Sequence, residues 1–272
     1  MTVKAASLVS RSDYKVIHKK RRCRKRVRRP AGTLQHLFHS CQAAFKGPGT
    51  VPCATHVQNL CRILDCMKPE DVGLSKDLHF FKRNTQIDRH PARVTSATIY
   101  KSDQFELCIF FVPENAVIPL HNHPEMTVFN KLLLGTMHVK AYDWVDLDPL
   151  TSKSPTKLLD VDGSCVRLAK VKANGRLAAP CDTSVLYPTS GGNIHEFTAI
   201  TPCAVLDVIG PPYSKHDARD CTYYQLVSDF EIEEEDGYGW LKETEIPKES
   251  KMDRIEYMGP HININNPNPS ST

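Results

Sequence analysis

The chain has 272 residues, of which 40% are hydrophobic and 24% are charged. This composition is typical of a globular protein with a hydrophobic core and excludes a fibrous or wholly disordered chain. No run of about eighteen apolar residues occurs, so we expect no helix that spans a membrane. The ten cysteines, in a chain that begins without a recognisable signal peptide, predict reduced thiols in a cytosolic or nuclear protein.

The positive charge is concentrated near the N-terminus. Residues 15–29 contain ten of the 35 Lys and Arg residues, which leaves 25 basic against 31 acidic residues elsewhere. Because like charges at this density repel one another, we expect residues 1–32 to form a disordered basic tail. Such a segment is typical of the ligands of a nuclear import receptor, so the protein is expected in the nucleus and the cytoplasm. Nucleic-acid binding and a solvated arm without a partner are the alternatives.

A short helical part is predicted after the tail. Thr33 is the expected N-cap of a first helix, whose apolar residues recur at helical spacing and stop at Gly47. A second helix is predicted over 54–67. We expect residues 33–92 to form an N-terminal helical segment that packs on the domain that follows.

From residue 93 to residue 258 the sequence predicts a domain made mainly of β-strands. Nine short runs rich in β-branched and aromatic residues are separated by turn residues: VTSATIY, FELCIFFV, AVIPLHNH, MTVFNKLLLG, TMHVKAYDWV, SVLYPT, IHEFTAI, AVLDVIG and CTYYQLV. Many short strands with few helices between them favour a sandwich or a closed barrel. The polar stretch 147–180 predicts a surface insertion with one hairpin at most, and residues 259–272 predict a C-terminal tail.

Three histidines form the candidate site. His121 and His123 are two residues apart in a predicted strand, which places both imidazoles on the same face. A Gly-rich segment, YPTSGGNIH, then brings His195 to the start of a later strand. The alternative for the first pair is two hydrogen-bonded structural histidines at a strand end.

These segments resemble the two motifs of the cupin superfamily, which implies a β-barrel that holds a metal ion. The first motif pairs His-x-His with a Glu three or four residues on and a Gly seven residues beyond. Here Gly135 is in register, but Thr127 and Val128 occupy the position of the acid. Glu125 lies nearby, out of register, as a weaker candidate ligand.

The missing carboxylate has a chemical consequence. Three neutral imidazoles leave an Fe(II) ion its full charge of +2, which attracts a thiolate and favours its formation. Three ligands also leave about three positions of an octahedral ion open, enough for a chelating thiol and dioxygen. This donor set favours thiol dioxygenation. The competing interpretation is zinc with three histidines and a water molecule, in a hydrolase or lyase.

Longer segments resemble the plant cysteine oxidases and their relatives, the cysteamine dioxygenases. The resemblance covers roughly residues 33–258 and is carried by HNHPEMTVFNKLLLGTMHVKAYDWVD, PTSGGNIHEFTAITPCAVLDVIGPPYS and RDCTYY. It implies a cupin barrel with Fe(II) that adds O2 to the N-terminal cysteine of target proteins, giving cysteine sulfinic acid. The implied targets are transcription factors of the ethylene-response type that enter the N-degron pathway, so the enzyme would act as an oxygen sensor. We expect a monomer.

The resemblance also implies roles for single residues. The positions that match the iron ligands are His121, His123 and His195. Asp207 and Tyr213 match catalytic pocket residues, and Cys221 matches a position near the pocket.

Physical chemistry gives two of these residues independent roles. Asp207 lies in an apolar run, and burying its carboxylate without a partner is costly, so a substrate ammonium, a water molecule or a basic side chain is expected beside it. Tyr213 would offer its hydroxyl to bound dioxygen or sulfur, or else pack at the rim. For Cys221, an unreactive core thiol is the alternative.

Two other functions stay open from sequence. A dioxygenase of small thiols, cysteamine or cysteine, would use the same metal site, whereas a non-enzymatic cupin would only bind a metal or a ligand. Free cysteine carries a carboxylate, which Arg normally recognises. Because 116–130 and 183–213 contain neither Arg nor Lys, the sequence favours a substrate whose carboxyl is part of a peptide bond.

Overall fold

A computed structural model describes residues 32–75, 93–145, 157–159, 163–227, 237–248 and 251–265. These residues belong to one folded unit, Ala31–Thr272. The basic segment 15–29 lies outside the described residues, as do almost all of the predicted tail 1–32 and parts of the predicted insertion and C-terminal tail. Within the described ranges, neither helix has the length and apolar character that crossing a membrane requires.

Two α-helices precede the strands in the described residues, α1 at Thr33–Ala44 and α2 at Ala54–Cys66, and a short 3-10 helix follows at Pro69–Val72. The N-cap of α1 is Gly32, which has no side chain, so Thr33 is the first helical residue rather than the predicted cap. The apolar residues at helical spacing are buried along one face, because they pack against the first sheet described below. The two predicted short helices are thereby confirmed.

Thirteen strands follow in the described part of the chain. They are β1 (Thr95–Lys101), β2 (Glu106–Val112), β3 (Val117–Asn122), β4 (Thr127–Leu134), β5 (Thr136–Trp144), β6 (Lys157–Leu159), β7 (Cys165–Ala178), β8 (Ser184–Leu186), β9 (Ile194–Ala199), β10 (Cys203–Gly210), β11 (Tyr223–Val227), β12 (Tyr238–Thr244) and β13 (Asp253–Ile255). The first sheet has the order β13-β1-β2-β10-β4-β8, and the second has the order β12-β11-β3-β9-β5-β7-β6. Each of the nine predicted runs overlaps one of these strands.

Strand β7 corrects the expectation of a surface insertion over 147–180. Its residues 169–178 pair with β5, whereas residues 166–170 pair with β12 and residues 165–167 pair with β6. The run reads as polar because exposed and half-buried residues alternate over its second half, as in a strand with one face toward solvent. Lysines and arginines on the solvent face hide this alternation from a search for apolar runs.

The two sheets face each other as a cupin-type, double-stranded β-helix barrel, which confirms the predicted fold. Apolar side chains of both sheets meet between them, including Val112 and Val205 from the first sheet and Ile118 and Phe197 from the second. Helices α1 and α2 cover the outer face of the first sheet. Strands β4 and β10 are therefore buried on both faces, which explains their nearly continuous apolar sequences.

Most strands of the second sheet also form a closed ring. Strand β12 pairs with β11 on one side and with β7 on the other, so β12, β11, β3, β9, β5 and β7 close on themselves. Each of these six strands contributes one residue to the core of the ring: Leu120, Tyr142, Ala169, Ile194, Tyr224 and Leu241. The side chains on one face of β3 and β9 thus point into the ring, and those on the other face point into the space between the two sheets. This second face carries His121 and His195.

Candidate metal centre

The three predicted histidines come together between the two sheets. His121 on β3 pairs in register with His195 on β9, and His123 follows directly after β3. The imidazole ring centroids lie 4.8 Å apart in all three pairings. One nitrogen from each ring falls within a group of atoms no more than 4.8 Å apart. This triangle of donors is what a three-histidine metal site requires.

Hydrogen bonds orient two of the rings. The Nδ1 of His121 lies 2.7 Å from the carbonyl oxygen of Pro119, which can only accept, so Nδ1 carries the proton. Tyr213 donates its hydroxyl proton to the carbonyl of Asn122 at 2.8 Å, so the Nδ1–H of His123 donates to the tyrosine oxygen, also at 2.8 Å. In neutral His121 and His123 the Nε2 atom is thus unprotonated and free to bind a metal.

Burial favours the neutral form of all three imidazoles. It lowers the pKa of His121 and, more strongly, the pKa values of His123 and His195, for which repulsion from the neighbouring rings adds to the effect. Metal ions bind the neutral form of imidazole, so burial prepares the site for a cation. The donor set therefore fits Fe(II), and the same three nitrogens also suit other divalent metals.

A cavity of about 350 Å³ opens onto the three histidines. Asp207, Tyr213 and Cys221 also line this cavity. Residues from β1, β2 and β13 line it as well, among them Lys101, Glu106 and Arg254. Every residue that the sequence singled out for the pocket therefore faces one space, except Glu125, which is exposed and lies outside the histidine cluster.

Asp207 has the partner that its burial demands. Its side chain is 5% exposed, and Oδ1 accepts a hydrogen bond of 2.8 Å from Nδ2 of Asn130 on the neighbouring strand β4. Burial raises the pKa of this carboxyl to about 7, against the lowering effect of the Asn130 hydrogen bond. The basic residue that the sequence allowed for is replaced by a neutral amide. With its pKa near neutral pH, this carboxyl loses its proton readily when a cation approaches.

Tyr213 and Cys221 form part of the cavity wall. Burial raises the pKa of Tyr213 well above its usual value, so its hydroxyl keeps its proton and remains bound to the Asn122 carbonyl. Burial also raises the pKa of the Cys221 thiol, which is hydrogen-bonded to the side chains of Tyr213 and Tyr223. Tyr213 thus orients His123, and its direct action on dioxygen or sulfur stays a prediction.

Sequence reasoning did not identify four polar residues around this centre. Asn130 holds Asp207, Asp143 binds the Gly-rich segment, Asn193 binds the backbone of His123, and Glu106 lines the cavity. For Asn130 a signal was available, since an amide within the apolar run of β4 also needs a buried partner. The contacts of Asp143 and Asn193 depend on strand register and loop geometry, which the sequence does not display.

The sequence matches the family described as PCO_ADO over residues 63–262. Plant cysteine oxidase 2 of Arabidopsis thaliana is 48% identical over 241 residues, which cover 84% of this chain and 83% of that protein. Plant cysteine oxidase 1 of the same plant is 42% identical over 258 residues, covering 88% and 84% of the two chains. The 2-aminoethanethiol dioxygenase of Mus musculus is 28% identical over 253 residues, covering 85% and 97%.

These relatives decide between the enzymatic and the non-enzymatic interpretations. Two relatives that match most of the chain are named as cysteine oxidases, and a more distant one as a dioxygenase. The chain is accordingly an oxidoreductase, and a cupin that only binds a ligand is set aside. With the three-histidine centre and the cupin-type barrel in place, the chain belongs to the PCO_ADO family of thiol dioxygenases, which includes the plant cysteine oxidases.

Proposed function

We propose that the protein is an Fe(II)-dependent dioxygenase that converts the N-terminal cysteine of target proteins to cysteine sulfinic acid. The observation that carries this proposal is the shared cavity, in which three neutral imidazoles and one buried carboxyl face the same space. Fe(II) bound by the three histidines would supply the redox chemistry that combines O2 with the thiol. The protein residues bind and orient the substrate.

Asp207 is suited to receive the α-ammonium group of the substrate. Its carboxyl lies in the same cavity as the three histidines, and its pKa of about 7 means that it is partly protonated in the empty site. An entering ammonium stabilises the ionised form, so the pair forms with release of a proton. The amide of Asn130 donates a hydrogen bond of 2.8 Å that holds the carboxylate in place. A substrate without a free amine lacks this contact.

The charges in the cavity favour a peptide over free cysteine. Two cations line the described part of the cavity, Lys101 and Arg254, and both come from strands outside the histidine motifs. Lys101 lies 2.7 Å from Glu106, so its charge is already paired. Arg254 is exposed to solvent, as expected of a residue at the mouth of the cavity. A peptide bond in place of the cysteine carboxylate removes the need for a cationic partner deep in the site.

The finer biological assignment follows the plant relatives. We propose that the substrates are transcription factors of the ethylene-response type, whose oxidation marks them for the N-degron pathway, so that the enzyme acts as an oxygen sensor. We further propose that it works as a monomer in the nucleus and the cytoplasm. A small-thiol dioxygenase remains the second candidate, because one relative is named for 2-aminoethanethiol, which also has an amine and no carboxylate.

A peptide with a free N-terminal cysteine is expected to gain two oxygen atoms at sulfur when the anaerobically purified, iron-loaded protein is exposed to O2. Mass spectrometry of the product and metal analysis of the protein measure the two requirements together. An N-acetylated peptide and a peptide with Ser in place of Cys are the matched controls, and neither should react. A higher kcat/KM for cysteamine or free cysteine than for the peptide would replace the protein-substrate proposal by the second candidate.

Deletion of residues 1–30 is expected to leave kcat/KM unchanged within about twofold and to move a fluorescently tagged protein from the nucleus to the cytoplasm. The reason is that ten basic residues at 15–29 suit an import receptor, whereas the described residues that line the cavity all follow residue 93. Replacing the basic residues of 15–29 by Gln in the full-length chain separates their charge from the length of the tail. Unchanged localisation would contradict import, and lost activity would show that the tail recruits substrate.

A further inference from the structure

The Gly-rich segment before His195 is held by one carboxylate. Asp143 on β5 accepts hydrogen bonds from three successive backbone N–H groups: those of Gly191 at 3.0 Å, Gly192 at 2.8 Å and Asn193 at 3.0 Å. Consecutive N–H groups that converge on one anion form a nest. Asp143 is buried, so these bonds are shielded from water. The segment is therefore fixed to β5 immediately before β9 begins.

The two glycines let the segment approach the barrel closely. Both have a φ of +84°, in the left-handed region that favours glycine. A Cβ at Gly191 would lie 2.8 Å from the carbonyl oxygen of Val185, and a Cβ at Gly192 would lie 2.7 Å from the Cβ of Ala141. Only glycine gives all three N–H groups access to the Asp143 carboxylate in this position.

The side chain of Asn193 extends the pairing between β3 and β9. Backbone pairing of these strands ends at Asn122 and Ile194, one residue short of His123. There the Oδ1 of Asn193 accepts the N–H of His123 at 3.1 Å, and its Nδ2 donates to the carbonyl of the same residue at 2.8 Å. The second Nδ2 proton goes to the carbonyl of Tyr187 at 2.7 Å. The amide thus takes the place of a backbone partner for His123.

This contact connects two of the three metal donors. His123 stands beyond the end of its strand, yet its Nε2 lies 3.1 Å from the Nε2 of His195. Asn193 binds the backbone of His123 on both polar groups and precedes His195 by two residues. We infer that Asn193 is a positioning residue of the metal site, which sets His123 against His195, and that Asp143 holds Asn193 in place. The inference rests on the metal site of the proposed function and does not depend on the thiol reaction.

A merely structural role makes a different prediction from a positioning role. If the contacts only stabilised the fold, their loss would lower the melting temperature and leave the metal affinity of the folded protein unchanged. If they position the ligands, affinity and ligand geometry change as well, since partners that orient metal ligands typically contribute about 10- to 100-fold in affinity. Metal binding to the full-length protein separates the two.

The test is a titration of the metal-free, full-length protein with Co²⁺, followed by its visible absorption and by competition with a chelator. For Asn193→Ala we expect a Kd weaker by about 10- to 100-fold and a shifted absorption spectrum. Asn193→Ser, which keeps a smaller hydrogen-bonding group, should fall between this variant and the parent. Asp143→Asn should also weaken metal binding. One carboxylate oxygen becomes an NH2 group, which cannot accept hydrogen bonds from the backbone N–H groups of the Gly-rich segment.

Asp65→Ala serves as a control that removes a hydrogen-bonded carboxylate outside the metal cavity. Asp65 accepts two hydrogen bonds from Thr183, at 2.8 and 2.6 Å, and does not line the metal cavity. Its Co²⁺ affinity should match that of the parent. Equal affinity and spectrum in Asn193→Ala would overturn the inference, and if that variant does not fold, unchanged binding in Asn193→Ser and Asp143→Asn would do so. A parent protein that binds no Co²⁺ would instead contradict the metal site of the proposed function.

Discussion

Replacing His195 with alanine is expected to remove most of the bound iron and to reduce oxidation of a Cys-initiating peptide to the background rate. Two imidazoles would remain, on His121 and His123, and two neutral ligands compete poorly with water for Fe(II). We expect an iron content below about a tenth of the parent value at equal protein concentration, measured by metal analysis after desalting. The equivalent substitutions at His121 and His123 should behave alike, because the three rings are equally spaced.

His138→Ala is the matched control for this experiment. His138 lies on β5, in the same sheet, but it does not belong to the cluster of donor atoms. This variant should keep its iron and its activity. A His195→Ala protein that retains a full equivalent of iron together with its activity would show that the metal is held elsewhere.

Asp207→Asn is expected to lower kcat/KM for the peptide by at least about 30-fold while the iron content stays at the parent value. Losing one partner of a buried charge pair costs roughly 2–5 kcal/mol, and 2 kcal/mol corresponds to about 30-fold. The substituted amide can still accept the hydrogen bond of Asn130, so the cavity should keep its shape. Iron loss in parallel with activity would assign Asp207 to the support of the metal site instead.

Asp220→Asn provides a matched loss of a carboxylate in the same cavity. Asp220 lines the cavity but is exposed, and it lies 3.6 Å from Lys215. Because exposed ion pairs contribute little, kcat/KM should change by no more than a few fold. Equal losses in Asp207→Asn and Asp220→Asn would contradict a specific pairing of Asp207 with the substrate ammonium.

The stability of the metal-free protein should reveal the raised pKa of Asp207. Its carboxyl titrates at about 7 in the folded protein and near 3.8 in an unfolded chain. Between these values the folded state keeps a proton that the unfolded state releases, so this group lowers the free energy of unfolding as the pH rises. Asp207→Asn removes the effect. Its free energy of unfolding relative to the parent should therefore increase from pH 4 to pH 7, by up to about 4 kcal/mol.

Denaturant unfolding of both proteins at several pH values measures this difference. The other titratable groups, including the three histidines, are present in both proteins, and their effects largely cancel in the comparison. A difference that stays constant across this pH range would show that the Asp207 carboxyl is already ionised in the folded protein.

Local sequence patterns were sufficient for most of the barrel and for the identity of the candidate site. Short apolar runs between turn residues identify strands because each strand of the barrel buries at least one face. The spacing of His121 and His123 predicts neighbouring imidazoles because side chains in a strand alternate. An acid within the apolar run of β10 predicts a buried carboxyl. Each of these features spans about two to eight consecutive residues, so it can be recognised without knowledge of contacts between distant parts of the chain.

Strand β7 shows where local patterns are insufficient. It is the longest strand in the described part of the chain, yet its sequence is rich in Lys and Arg because much of one face is exposed. Its pairing with β5 and β12 provides the hydrogen bonds that its composition does not predict. A polar strand of this kind can be identified only once its pairing with neighbouring strands is known.

The tertiary structure alone decides what surrounds the three histidines. The register between β10 and β4 brings Asn130 to Asp207, although 77 residues separate them in sequence. The ladder between β3 and β9 ends one residue before His123, so the side chain of Asn193 supplies the missing partner. Strand β13 adds Arg254 to a cavity whose sequence motifs contain no cation. The sequence by itself thus predicted the candidate metal donors, His121 and His123 from their spacing and His195 from a Gly-rich segment that resembles the second cupin motif. Their hydrogen-bond partners depend on the pairing of strands that are far apart in the chain.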